Sequence, residues 1–129
     1  MPVARMIFDS FHSPLPADGI RGLMAGARHV AYTHGETTID LAIEPVPEST
    51  RISLTGQVLG GLGKRKNENL SVLLVGEVGT LERTATNEFG EFHMEIDPHD
   101  ANLEIRLGEQ SWVRVPLGKL DALGRSPSN

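Results

Sequence analysis

Apolar and polar residues alternate along most of this chain in short runs, and no helical period is sustained over three turns. Alternation of this kind is typical of a β-strand with one buried face. From residue 28 the runs recur at intervals of about 8–12 residues, separated by Gly, Pro or Asn, which is the spacing of a β-sandwich. The pattern predicts seven or eight strands. The candidate runs are 29–33, 37–43, 52–58, 70–75, 81–86, 91–96, 103–107 and 113–117.

Two turns between these runs have recognisable chemistry. His34-Gly35 or Gly35-Glu36 separates two alternating runs and predicts a tight hairpin. Asn87-Glu88-Phe89-Gly90 separates Leu81–Thr86 from Glu91–Ile96; an Asn side chain bonds back to the backbone, and Gly accepts a positive φ. We therefore expect the runs on either side of this turn to form a second hairpin. Its buried face would carry Phe92, Met94 and Ile96. Gly56, inside another run, predicts a bulge or a close backbone approach.

The predicted fold is an all-β, antiparallel Greek-key sandwich of seven or eight strands, prealbumin-like or immunoglobulin-like in shape. The chain divides into an irregular N-terminal arm at 1–27, the sandwich domain at 28–120 and a flexible C-terminal tail at 121–129. Met6-Ile7-Phe8 is a candidate short strand within the arm. We expect the arm to pack on the domain; the alternative is that it reaches a neighbouring subunit. The residues that would cover the core are Ile7, Phe8, Phe11 and Ile20.

Composition narrows the function classes. The 129 residues carry a net charge of −5, which is the opposite of the basic footprint expected for nucleic acids or anionic membranes. The chain has no cysteine, which excludes thiol catalysis, disulfides and Cys-ligated metal centres. We see neither a signal-peptide pattern nor an apolar run of bilayer length. We therefore expect a cytoplasmic protein that binds neither nucleic acid nor membrane.

Three sequence features together resemble a known family. They are Gly56-x-Val58, the alternating Leu70-x-Val72-x-Leu74, and Thr84-x-Thr86-Asn87-x-x-Gly90-x-Phe92-x-Met94. The combination resembles the carboxypeptidase regulatory-like domains, a transthyretin-like (prealbumin-like) β-sandwich related in shape to the collagen-adhesin B-type repeats. Asn87 replaces the usual Asp of that family, and Met94 replaces its second Phe. The resemblance covers about residues 52–117, and the N-terminal half is similar to small bacterial proteins that carry this domain.

The resemblance implies a binding, spacer or folding module without a cofactor, and a fold alone does not fix function. The enzymatic relatives, the transthyretin-like hydroxyisourate hydrolases, end in Tyr-Arg-Gly-Ser, whereas residues 124–129 include no tyrosine. We therefore expect a non-enzymatic protein-binding or assembly module in a bacterial cytoplasmic signalling or regulatory system. A partner protein or a second copy would bind at an unpaired edge strand or at the arm. The candidate contact residues are Phe8, Phe11, Tyr32 and Trp112.

Two alternatives from other classes rest on particular side chains. Tyr32 and Trp112 are the only aromatics with polar tips, and an exposed pair would suit a carbohydrate-binding module that stacks on a sugar ring. His93 and Glu95 suggest a metal-dependent enzyme, since imidazole and carboxylate groups bind zinc or manganese. Residues two apart on a strand are separated by about 7 Å, so a solvated sheet face is the simpler interpretation. The full set of weak metal candidates is His93, Glu95, Asp97 and His99.

Overall fold

The computed structural model describes residues 1–10, 27–60, 69–98 and 100–119. This part of the chain forms nine strands and no helix, so the predicted all-β class is confirmed. The strands are β1 (Arg5–Asp9), β2 (Arg28–His34), β3 (Thr37–Pro45), β4 (Ile52–Gly60), β5 (Ser71–Gly76), β6 (Gly79–Ala85), β7 (Glu91–Ile96), β8 (Asp100–Gly108) and β9 (Ser111–Lys119). The ninth strand is β1, which contains the candidate short strand Met6-Ile7-Phe8 of the predicted arm. Nothing in the described ranges is a helix of the length and apolarity needed to cross a membrane.

The strands form two antiparallel sheets that pack face to face. The five-stranded sheet has the order β1-β2-β3-β4-β7, and the four-stranded sheet has the order β6-β5-β8-β9. Because side chains alternate along each strand, one face of each sheet supplies the apolar core and the other faces outward. The largest fully buried side chains come from both sheets. They include Tyr32, Ile39, Leu41, Ile43, Leu54, Leu74, Leu103 and Ile105.

The N-terminal segment passes from one sheet to the other. The Ala4 N–H donates to the carbonyl of Arg114 on β9, and the Arg114 N–H donates to the carbonyl of Pro2, both at 2.8 Å. The chain then enters β1, which pairs with β2 at the edge of the five-stranded sheet. Residues 2–4 therefore pair with the edge of the four-stranded sheet, and β1 forms an edge of the five-stranded sheet. Together they close one side of the sandwich.

The residue of this segment that enters the core is Ala4, which is 4 % exposed. The prediction that Ile7 and Phe8 cover the core is wrong. Pairing with β2 leaves Ile7 bulged and half exposed, and it places the Phe8 ring on the outer face against His29. Those two ring centroids are 5.7 Å apart in an edge-on contact. Phe11, the remainder of the predicted arm and the predicted C-terminal tail lie outside the described residues.

The hairpin predicted at residues 34–36 is confirmed, and its turn is Gly35-Glu36. β2 and β3 pair without a register shift from the Arg28–Ile43 pair to the His34–Thr37 pair. Gly35 has a φ of 61°, in the left-handed region that glycine enters without a steric cost. Turn chemistry and strand pairing therefore agree at this end of the sheet.

The second predicted hairpin is wrong, although its turn is correct. The N–H groups of Phe89 and Glu91 both donate to Asn87 Oδ1 at 2.9 Å, and Gly90 has a φ of 80°. However, β6 pairs with β5 and β7 pairs with β4, so the turn joins strands of opposite sheets. The physical reason is that turn chemistry is local. It reverses the chain and leaves the choice of pairing partner to the packing of the flanking strands.

Packing against β4 decides where β7 lies. Phe92, Met94 and Ile96 are buried as predicted, and their strand pairs in register with β4. The Phe92 ring occupies the space that a side chain at position 56 would need, because an ideal Cβ there would be 2.3 Å from Phe92 Cζ. The close approach predicted at Gly56 is therefore confirmed. The alternative of a bulge is wrong, since neither described ladder of β4 has a register shift.

Candidate functional site

The predicted contact aromatics do not form one surface. Trp112 lies half-buried on the outer face of the four-stranded sheet, opposite Arg106 in the ladder. Phe8 lies on the outer face of the five-stranded sheet, so the whole sandwich separates these two rings. Tyr32 points into the core, and Phe11 is outside the described residues. The structure therefore does not bring the three described rings together.

Tyr32 is a structural residue between the two sheets. Its side chain is 1 % exposed, and its hydroxyl donates a hydrogen bond to the carbonyl of Pro116 on β9. Burial raises the pKa of Tyr32 because it disfavours the phenolate, while the positive charge of Arg28 acts in the opposite direction. A side chain in this position has no face for a sugar ring, so the carbohydrate-binding alternative rests on Trp112 alone.

We expect Tyr32, the single tyrosine of the chain, to titrate above the ordinary phenol pKa of about 10 in the native protein. The unfolded chain loses this proton at lower pH than the native one. The stability that Tyr32 contributes is therefore complete below pH of about 10 and is lost as the pH rises through the raised native pKa. Near-ultraviolet absorbance of the tyrosinate measures the midpoint directly. The same titration in urea is the control, and equal midpoints in the two states would contradict the effect of burial.

A bidentate ion pair joins the start of β2 to the end of β1. Arg28 Nε donates to Asp9 Oδ1 at 3.0 Å, and a terminal nitrogen of Arg28 donates to Asp9 Oδ2 at 2.6 Å. The side chain of Asp9 is 3 % exposed and that of Arg28 is 16 % exposed. The hydrogen bond to Asp9 raises the pKa of Arg28, so the guanidinium remains charged at every pH at which the fold exists. The pair acts as a structural clamp on the N-terminal strand.

The weak metal candidates do not converge. His93 Nε2 lies 3.0 Å from Ser53 Oγ, and Glu95 follows two residues later on the same exposed face. Asp97 is exposed beyond the end of β7, and His99 is outside the described residues. Within the described ranges, no group of three His, Asp or Glu side chains is placed to hold one metal ion. The metal alternative therefore lacks a ligand set in this part of the chain.

The edge strands are the other candidate for partner binding. The two sheets have four edges, namely β1, β7, β6 and β9. In an antiparallel ladder, alternate residues of an edge strand turn their N–H and C=O groups toward the free side, where another chain can pair with them. Whether an edge is open depends on what already binds those groups.

The free side of β9 is partly occupied. Arg114 is bonded through its backbone to the N-terminal segment. Pro116 is two residues farther on and faces the same way, yet it has no N–H, and its carbonyl accepts the hydroxyl of Tyr32. Two of the outward-facing positions of β9 are therefore closed to an incoming strand.

The free sides of β7 and β1 are also restricted. At the start of β7, the Glu91 N–H donates to Asn87 Oδ1 at 2.9 Å, and the Glu91 carbonyl accepts the Asn87 N–H at 2.8 Å. Near its end, the Glu95 carbonyl accepts the Arg51 guanidinium. β1 has only five residues, and the register shift at Ile7 interrupts them. A bulge in a short edge strand opposes further pairing.

β6 is the open edge in its second half. The β5–β6 ladder has a register shift at Leu81, and the strand is regular from Glu82 to Ala85. The Thr86 N–H donates to the Leu70 carbonyl at 2.9 Å, which sets the alternation of the β5–β6 ladder. By that alternation, Arg83 and Ala85 turn their backbone groups away from β5. The Arg83 N–H contacts only the carboxylate of its neighbour Glu82, at 3.2 Å. The other outward groups of these two residues make no hydrogen bond to the described part of the chain.

Comparisons with protein-family models, with curated proteins and with solved structures find no match for this chain. The function is therefore argued from the geometry of the edges. Sequence reasoning missed β6 as the open edge because it paired this strand with β7. The available signal was the polar composition of Gly79–Ala85, whose side chains are exposed except for half-buried Thr84.

Proposed function

We propose that this protein is a non-enzymatic protein-binding or assembly module that recruits its partner by strand addition at β6. The observation that supports the proposal is the open edge: β6 pairs regularly from Glu82 to Ala85, and the backbone groups of Arg83 and Ala85 face away from β5. An extended segment of a partner protein, or of a second copy, pairs with these groups and adds a strand to the four-stranded sheet. Main-chain hydrogen bonds supply affinity, and side chains along the strand supply specificity.

Exposed apolar side chains lie on β6 and at both of its ends. Val78, in the turn before the strand, is 95 % exposed, and Phe89, in the turn after it, is 66 % exposed. Leu81 on the strand itself is 40 % exposed. Large apolar groups beside an unpaired edge favour its burial under a partner. Phe8 and Trp112 lie on other faces, so they contact only a partner that extends around the sandwich.

We also propose that the chain is a divergent carboxypeptidase regulatory-like domain of a bacterial cytoplasmic signalling or regulatory system. Three motif positions support the relationship through the structural roles they have here. Gly56 leaves room for the Phe92 ring, Asn87 binds the backbone of its turn, and Gly90 takes the positive φ. These roles concern packing and turn geometry, so they support a shared fold and do not specify the partner.

Arg83→Pro and Arg83→Ala are a matched pair of variants that tests strand addition. Proline removes the outward N–H at a position where edge strands tolerate it, and it leaves the hydrogen bonds to β5 in place. Alanine removes the same side chain and keeps the N–H. We expect tagged wild-type protein and Arg83→Ala to retain one stoichiometric partner from a lysate of the native host, and Arg83→Pro to lose it.

Amide hydrogen exchange distinguishes strand addition from other contacts. In the complex, the amide of Ala85 should exchange at least about tenfold more slowly than in the free protein. Sedimentation of the purified protein separates self-association from binding to a different chain. Equal loss of the partner in both variants would show that the Arg83 side chain makes the contact. Retention by Arg83→Pro, or no partner at low salt, would refute the proposal.

A further inference from the structure

The outer face of the five-stranded sheet contains a groove of about 740 Å³. This volume is within the range of small-molecule sites, about 300–1,000 Å³. Side chains cross the groove in two rows, because cross-strand partners lie opposite one another. One row is Asp40, Gln57 and Glu91, and the other is Ala42, Thr55 and His93. Ala42 is smaller than its neighbours in these rows, so its methyl group is the apolar surface at the bottom of the groove.

Two of the three side-chain amides that line the groove, those of Gln57 and Asn87, donate to the protein itself. Gln57 Nε2 donates to the Phe89 carbonyl at 3.2 Å, which leaves Gln57 Oε1 as an acceptor. Asn87 Nδ2 donates to Glu91 Oε1 at 3.1 Å, which fixes that carboxylate at the rim. Gln57 and Glu91 therefore present acceptors to a ligand, while the amide donors of Gln57 and Asn87 are already bound.

The charge of the groove points to the same kind of ligand. Asp40 and Glu91 contribute carboxylates, and no Lys or Arg is among the described lining residues. Neither carboxylate forms an ion pair with a described residue. Adjacent strands are about 4.8 Å apart, so the backbones of Asp40 and Glu91, which lie two strands apart, are separated by about 10 Å. Within the described ranges, Asp40 and Glu91 belong to no group of three side chains that could hold one metal ion, and two separate carboxylates suit a linear ligand with a charge at each end.

We propose that this groove binds a small organic polyamine, with one ammonium group at Asp40 and another at Glu91. The methylene chain lies on Ala42, and an inner amine donates to Gln57 Oε1 or to the Thr55 hydroxyl. Charge-assisted hydrogen bonds from ammonium to carboxylate are the strongest contacts that this lining can make. Ala85 of β6 also lines the groove, so an added strand would lie beside the polyamine. Spermidine binding needs no added strand, so each proposal can fail without the other.

Isothermal titration of the full chain with spermidine tests the site, with a neutral glycol oligomer of similar length and Mg²⁺ as controls. Asp40→Asn and Glu91→Gln each remove one negative charge, and Glu91→Gln keeps an acceptor for Asn87. Glu44→Gln is the matched control, because Glu44 is on the outer face of β3 and outside the groove. We expect saturable binding of spermidine only. Each groove variant should weaken it at least about tenfold, the loss of one charged hydrogen bond, and Glu44→Gln should leave it unchanged.

Several results would overturn the polyamine site. Absence of saturable binding at millimolar spermidine would do so, and equal weakening by Glu44→Gln would reduce the effect to general attraction by an acidic surface. Binding of Mg²⁺ as tight as that of spermidine would point to a simple cation. Binding of a lysine-rich peptide without spermidine binding would assign the groove to a protein partner. Unchanged melting temperatures of the variants show that their loss of binding is not a loss of fold.

Discussion

Replacing Arg28 with Met is expected to lower the free energy of unfolding by about 3–5 kcal/mol, the usual cost of removing one partner of a buried ion pair. Asp9 is almost fully buried, and Arg28 binds both oxygens of its carboxylate. Met keeps much of the side-chain volume, so the loss reports the charge and the hydrogen bonds. Domains of this size are stable by about 5–15 kcal/mol in total, so the variant loses a large part of that margin. Urea denaturation followed by Trp112 fluorescence measures the change.

Arg5→Met is the matched control for this prediction. Arg5 is on the same short strand and its side chain is exposed, so its replacement should change stability by no more than about 0.5 kcal/mol. Asp9→Asn should be destabilising in its own right, and a double-mutant cycle with Arg28→Met should show strong coupling. Losses that simply add, or an Arg28→Met variant as stable as Arg5→Met, would mean that the pair does not hold β1 in place.

Gly90→Ala should lower the free energy of unfolding by about 2–5 kcal/mol, because the penalty of a left-handed backbone is added to that of a steric clash. Gly90 has a φ of 80°, and an ideal Cβ at this position would lie 2.3 Å from the carbonyl oxygen of Val58. That oxygen belongs to β4, whose neighbouring strands prevent it from moving away. The turn that joins the two sheets must therefore distort.

Gly35→Ala separates the two contributions. Gly35 also has a positive φ, 61°, but no heavy atom lies within 4 Å of its ideal Cβ. We expect Gly35→Ala to cost only the backbone penalty, about 1–2 kcal/mol. Urea denaturation of both variants gives the difference. Equal losses would show that the Val58 carbonyl contributes nothing, and a neutral Gly90→Ala would mean that the turn relaxes freely.

Local features of this fold could be predicted from the sequence, because they depend on residues close together in the chain. Alternation located the strands, and Asn87 and Gly90 identified a turn whose hydrogen bonds and positive φ are those expected. The burial of Tyr32 could also have been predicted from the sequence, since Tyr32 shares a strand face with Val30. The strand that pairs with β7 could not be predicted from the sequence. It depends on the fit of the Phe92 ring over Gly56, and these two residues are far apart in the sequence.

The candidate site was less accessible to prediction than the fold. An open edge is defined by what the other edges bind, and those partners come from distant parts of the chain. Pro116 and the N-terminal segment restrict β9, while Arg51 restricts β7. The ion pair of Asp9 with Arg28 likewise joins residues 19 apart, and neither residue has a local signature for it. Polar residues on an outer strand face are common, so the groove at Asp40 also gave no signal.

The crossing of residues 2–4 onto β9 has a consequence for synthesis of the protein on the ribosome. Residues 2–4 are made long before Arg114, with which they pair through their backbone groups. The side of the sandwich that they close must therefore stay open until β9 has been made. Contacts between such distant positions form slowly, because a long loop has to close first. Nascent chains that stop before β9 would expose Ala4 and the core beside it, and we expect chaperones to bind them.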